Sequence, residues 1–171
     1  EAIVRFVQDD IRYVGVELGA HSHQPHAPEW VLERGFGDCK DKALLLVSLL
    51  RATGLRAEPA LVDSEAGLFL PQAAPGSDAF NHAIARVEVP GGGTRFIDGT
   101  RTLQRGPLAQ FSNPAFHWAL VVSDETATLE PIPLELPVTP TFEVEQVWTT
   151  LPGGRVALRF TTVARGDSEI G

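Results

Sequence analysis

The sequence predicts an α+β domain, because an almost wholly apolar helix pattern at residues 43–52 precedes a series of short strand patterns separated by Gly- and Pro-containing turns. Helix first and antiparallel strands later is the order in which one buried helix and one sheet share a core. The single cysteine of the chain, Cys39, stands at the entrance to that helix.

Size and composition fit this class. The 171 residues, 43% hydrophobic and 21% charged, suit one globular domain with an appendage. A formal charge of −8 without any Lys/Arg-rich run gives no surface for tracking phosphates, which argues against nucleic acid as a partner. One cysteine forms no internal disulfide, and no run of about 18 apolar residues supplies a membrane segment. With no Met at all, the chain reads as an excerpt from a longer protein.

Taken in order, residues 1–13 place Ile3, Val4, Phe6, Val7 and Ile11 at helical spacing, predicting an amphipathic first helix that ends near Val14-Gly15. Residues 19–28 lack periodicity and contain two prolines, so they read as a loop. Pro28 then opens a short helix, 29–34, ended by Gly35. Asp38 is a good N-cap for the central helix, Asp41 completes a capping box three residues on, and Gly54 suits its C-terminus. Leu44, Leu45, Leu46, Val47, Leu49 and Leu50 leave that helix hardly any polar face, so it should be buried on most sides.

After it, residues 56–62 read as a strand, 68–70 as a short apolar piece and 71–78 as a loop. Residues 82–89 and 94–98 form a hairpin pattern across Pro90-Gly91-Gly92-Gly93, and short strands are expected at 119–122 and 129–132. The core is thus drawn over 1–130. Proline-rich residues 131–141 read as an extended linker, and 142–171 as a strand-turn-strand segment that starts a following β domain.

A thiol in the first turn of a buried helix faces unpaired N–H groups and the positive end of the helix dipole, which favour thiolate. The plainer reading is a small buried hydrophobe, but the small and polar flanks Gly37, Asp38 and Lys40 count against it. A nucleophilic thiol needs a base and a group to orient that base. His82 opens one hairpin strand and Asp98 closes the other, so both lie at the same end. A turn centred at Pro90 would set them face to face. A turn centred on the glycines would pair Asp98 with Arg86 and leave His82 about 13 Å along the strand, requiring a bulge or asymmetric loop.

His21, His23 and His26 have spacings at which imidazoles can converge on zinc, but no carboxylate or cysteine nearby completes a site, so a solvated, metal-free loop is expected. Lys40 and Lys42 could act on the thiol or on an acidic substrate, though surface charge is their ordinary explanation. Trp30, Trp118 and Trp148 read as packing residues, with Trp30 and Asn81 the candidates for lining a cleft.

The strings I-R-Y-V-G-V-E (11–17), Q-P-H (24–26), G-D-C-K-D-K-A (37–43), L-L-R-A-T-G-L (49–55), F-N-H-A (80–83) and F-I-D-G-T (96–100) resemble bacterial transglutaminase-like domains. The resemblance covers about residues 1–110. It implies a papain/transglutaminase-like core, a central helix bearing the cysteine packed on an antiparallel sheet, with Cys39 as nucleophile, His82 as base and Asp98 as orienting acid. Relatives often read Asp-Pro-Thr where this chain has Asp98-Gly99-Thr100, which bears on the rigidity of that loop. Such cores are commonly flanked by β domains, and a bacterial periplasm or cytoplasm would both suit one.

The expected activity is thiol-dependent acyl transfer on peptide or side-chain amide bonds of a peptide or protein substrate. Water as acceptor gives a protease or amidase, that is a hydrolase; an amine gives a transglutaminase, an acyltransferase. The Cys39 N–H is the natural first oxyanion donor and Gln24 the candidate second. The triad requires no cofactor, and no loop of spaced acidic ligands suggests calcium. The competing reading is a catalytically silent module that keeps the fold and binds a peptide or protein.

Overall fold

The computed structural model describes residues 1–15, 18–134 and 142–164. Helix α1 is α-helical over Ala2–Arg5 and widens to π-helical hydrogen bonding over Phe6–Asp10. It ends earlier than its apolar spacing predicts. Ile11 turns extended, and Arg12–Tyr13 forms β1, which pairs in parallel with β2, Phe36–Gly37. The physical reason lies in the core: the carbonyls of Gln8 and Ile11, which a longer helix would bond internally, accept from the Lys42 ammonium instead.

Helix α2, Pro28–Arg34, has its proline in the first turn and stops at Gly35 in the left-handed conformation. Helix α3, Cys39–Ala52, carries the capping box: the Asp38 side chain accepts from the Asp41 N–H, and Asp41 accepts from the Asp38 N–H. Gly37 makes that cap possible, since a Cβ there would lie 2.6 Å from the Asp41 Cβ.

Strands β3 (Ala57–Val62), β4 (His82–Val89), β5 (Gly93–Ile97), β6 (Trp118–Val121) and β7 (Glu130–Pro131) form an antiparallel sheet in the order β5-β4-β3-β6-β7. Residues of odd parity on β3 to β5, among them Ala57, Ala85, Val87 and Ile97, pack with Leu45, Leu46, Val47 and Leu50 of α3 and with Val4, Val7 and Ile11 of α1. The other face buries Ala60, Val62, Ile84, Phe96, Ala119 and Ile132. Ile132 therefore belongs to the core, just beyond β7, and Arg86 fastens β7 by bonding Glu130 while also meeting Glu58 and Glu88. The apolar piece at 68–70 is part of a 3₁₀ turn, Gly67–Gln72, docked where a Cβ on Gly67 would sit 2.1 Å from the Phe116 carbonyl oxygen.

Strands β8 (Phe142–Leu151) and β9 (Arg155–Ala164) form a separate two-stranded hairpin. Trp148, read from sequence as a packing residue, is 65% exposed there, because no second layer among the described residues covers its face. Most of the 131–141 linker and residues 165–171 lie outside the described residues.

Candidate active site

Cys39 is the first residue of α3, and its side chain is buried with Ala43 and Ala83. Its N–H belongs to the first helical turn, where no carbonyl of the same helix can accept it. His82 opens β4 and Asp98 follows the last residue of β5. The His82 Nε2 lies 2.9 Å from Asp98 Oδ2, leaving Nδ1 as the nitrogen free to meet the thiol.

The hairpin register takes neither of the two expected forms. Val89 pairs with Gly93 and Ala85 with Ile97, so the turn is centred on Gly91, and the pairing runs without a bulge. Continued by one step, this sets Asp98 opposite Ile84, two residues from His82 on the same sheet face. Diagonal neighbours of this kind are about 7–8 Å apart at the backbone, within reach of an imidazole. A symmetric hairpin therefore joins the pair, and the expected asymmetric loop is not needed.

Burial alone would lower the His82 pKa, but hydrogen bonds to Asp98 and Cys39 and the charges those groups carry outweigh it and raise it from 6.5 to about 10. Burial would raise Asp98; the His82 hydrogen bond and charge, with bonds from Thr100, hold it below the usual carboxylate range. Asp98 Oδ1 accepts from the Thr100 N–H at 2.8 Å and from its hydroxyl at 2.7 Å, so Oδ2 is left for His82. Gly99 in place of proline thus sits in a loop held by hydrogen bonds. Phe116 lies edge-on to the imidazole at 5.6 Å. The next residue, His117, has φ 66°, a left-handed strain carried by a non-glycine residue.

Beneath the pair is a layer that the sequence reading missed. Gln8, 1% exposed, donates to the Asp98 carbonyl at 2.9 Å and to Gln104 Oε1 at 2.8 Å. Lys42 is a correction to the surface reading: it is 1% exposed, with Nζ 2.6 Å from the Ile11 carbonyl. Burial lowers its pKa to about 8, against the opposing pull of Asp98 and Asp9. Lys40 pairs with Asp38 at the helix cap. The signal for Lys42 was available, since it lies three residues after Cys39 on a helix with almost no polar face.

The histidine loop is tied to the same helix. Asp41 accepts from the His26 N–H at 2.8 Å and faces His26 Nδ1 at 3.2 Å. The His26 ring stacks on His21 at 3.7 Å and on Trp30 at 3.9 Å, with Arg34 over the far side of the indole. His23 turns toward the Ser22 hydroxyl. Trp30 also packs on the main core cluster. Gln24 is exposed, its main chain held by Ala20 and by His21 Nδ1. Asn81 accepts from the Ser64 N–H and fixes the start of the loop that follows β3. Among the described residues no group of three His, Cys, Asp or Glu could hold a metal ion, and no helix is long and apolar enough to cross a membrane.

A cysteine heading a central helix, with a His–Asp pair delivered by an antiparallel sheet, defines the papain-like class of α+β domains. The sequence model of the transglutaminase-like superfamily matches residues 1–95, more than half of the chain, and the chain belongs to that superfamily. Cys39 and His82 lie within the match and Asp98 just beyond it. Among solved structures, a “putative protease” from Parabacteroides distasonis is similar over 77% of this chain and 24% of its own, with 17% identity and a TM-score of 0.53. A “putative cysteine protease” from Cytophaga hutchinsonii is similar over 94% of this chain and 50% of its own, with 18% identity and a TM-score of 0.42. The chain thus spans a quarter of the first structure and half of the second. No curated protein matches it.

Proposed function

We propose that this domain is a cysteine-nucleophile enzyme that transfers the acyl group of a peptide or side-chain amide. The observation that carries the reading is the His82–Asp98 bond through Nε2, which directs the other imidazole nitrogen to the thiol at the start of α3. The Cys39 sulfur attacks the carbonyl carbon, and the imidazolium gives its proton to the departing amine, leaving a thioester. Water or an amine then adds to the thioester, His82 takes its proton, and the thiolate leaves. Water makes the enzyme a protease or amidase; an amine makes it a transglutaminase. Cys39 N–H and the Gln24 amide are the oxyanion donors in this reading.

Alkylation of Cys39 by iodoacetamide between pH 5 and 9, with His82→Ala as control, tests the assignment. The enzyme reading expects labelling well above that of free cysteine at pH 6–7, falling about 10-fold or more without His82. Labelling at the free-cysteine rate, indifferent to His82, would assign the domain to peptide or protein binding without turnover.

A further inference from the structure

An apolar pocket of about 530 Å³ opens on the same sheet face as the thiol. The register pairs Leu61 with Ala83 on one side and with Leu120 on the other. Paired residues project from one face, so Ala83, Leu61 and Leu120 form a row across β4, β3 and β6. Cys39, Ala43 and Ala83 form one buried cluster, and Leu61 packs against it. The row therefore begins at Ala83, in the cluster that holds the thiol, and meets the pocket at Leu61 and Leu120, one and two strand spacings away, the second roughly 10 Å from Ala83. Leu70 from the 3₁₀ turn, Phe80 two residues before His82, and Leu129 close the walls.

No lining residue carries a charge, in a chain whose net charge is −8. Leu61, Phe80, Leu120 and Leu129 are only half-buried, so they present apolar surface to an occupant. A charged side chain placed there would lose its hydration and find no partner. A second cavity of similar volume, lined by Gly54, Arg56, Glu88 and Thr94, lies at the far end of β4, roughly 23 Å from His82 at the rise of a strand. Only the first adjoins the reacting centre.

We propose that this pocket is a specificity subsite that takes a large, uncharged aliphatic or aromatic side chain of a peptide substrate, within three residues of the acyl group attacked by Cys39. The limit follows from reach, since an extended peptide advances about 3.3 Å per residue. The inference rests on the reading of Cys39 as nucleophile, and it adds the substrate class that this reading leaves open.

Peptidyl chloromethyl ketones test it on the full chain, because the Cys39 sulfur displaces chloride to form a thioether whatever the acceptor in turnover. Leu, Phe, Ala, Asp and Lys are varied at each of the three positions nearest the warhead, with iodoacetamide as a reagent lacking side chains. At one position Leu or Phe should react about 10-fold or more faster than Ala, and Asp or Lys more slowly than Ala. Leu120→Asp should abolish that preference or turn it toward Lys, and Leu129→Asp provides a second variant should the first misfold. Equal rates at every position, with His82-dependent iodoacetamide labelling intact, would overturn the subsite and leave the nucleophile standing. If neither reagent labels Cys39, the nucleophile reading fails, and equilibrium binding of the same sequences as peptide amides decides the pocket. An apolar preference there retains a recognition site, and no preference overturns it.

Discussion

His82 and Asp98 meet across a two-residue offset in the β4–β5 hairpin, the imidazole reaching diagonally so that Nε2 lies 2.9 Å from Oδ2. Oδ1 is occupied by Thr100 and the Asp98 carbonyl by Gln8, so the carboxylate has one orientation to offer. Four consequences can be measured.

Asp98→Asn keeps the shape of the side chain but removes the charge that raises His82. The imidazole should then lose its proton well below pH 10, so the alkaline limb of the pH–rate profile should move toward acid. Turnover should fall by about 10²- to 10⁴-fold, with the larger loss if the amide selects the wrong tautomer. An unmoved alkaline limb with a lower melting temperature would reduce Asp98 to a cap for the turn at Gly99-Thr100.

Stability should carry two opposed pH dependences. His82, raised to about 10 in the fold, contributes stability that is fully present below about pH 6.5 and lost as pH rises through 10. Lys42, lowered to about 8, costs stability while both states are protonated. Between about pH 8 and 10.4 only the unfolded chain keeps that proton, so stability rises with pH, by roughly 3 kcal/mol at most. Urea unfolding of His82→Ala should therefore expose a rise above pH 8, and adding Lys42→Met should abolish it. A flat profile in the His82→Ala variant would contradict the burial of a charged Lys42.

Gln8 touches the site through the Asp98 carbonyl, so in the proposed enzyme it would be a positioning residue. Gln8→Leu would remove the hydrogen bonds that Gln8 donates to the Asp98 carbonyl and to Gln104 Oε1, costing about 1–3 kcal/mol. In the positioned state kcat should drop while KM changes little, and the alkaline limb should shift in the same direction as in Asp98→Asn. A stability loss with an unchanged pH profile would confine Gln8 to packing.

Local grammar made much of this fold legible. Asp38, Asp41 and Gly54 marked the central helix because capping is decided by near neighbours, and the triple glycine marked the hairpin for the same reason. The register was not legible: whether the turn centres on Pro90, Gly91 or Gly92 depends on how β4 meets β3 and α3. The early end of α1 was hidden likewise, since its last carbonyls are satisfied by Lys42, more than thirty residues away. Lys42 and Gln8 stand beside charged neighbours, Lys40 and Asp41 for the one and Asp9 and Asp10 for the other, so nothing local names the partners that permit their burial, even though the missing polar face of α3 marks Lys42 as a residue that must find one.

The last prediction separates the histidine loop from the nucleophile. Asp41 caps α3 and holds the main chain of His26, so one carboxylate fixes both the helix that carries the thiol and the loop that carries Gln24. If the Gln24 amide serves the oxyanion, Gln24→Ala should leave alkylation of Cys39 unchanged, since that reaction forms no tetrahedral oxyanion, and should lower turnover by about 10²-fold or more. Asp41→Asn keeps an oxygen for one N–H but loses the charge at the helix start, which should cost about 0.5–2 kcal/mol. It should also reduce turnover, because Gln24 lies two residues from the released His26. The double variant Asp41→Asn/Gln24→Ala then decides the route: a turnover no lower than that of Gln24→Ala alone places the catalytic effect of Asp41 in the loop. Fully additive losses would place it at the helix cap, and unchanged turnover in Gln24→Ala would remove Gln24 from the oxyanion site.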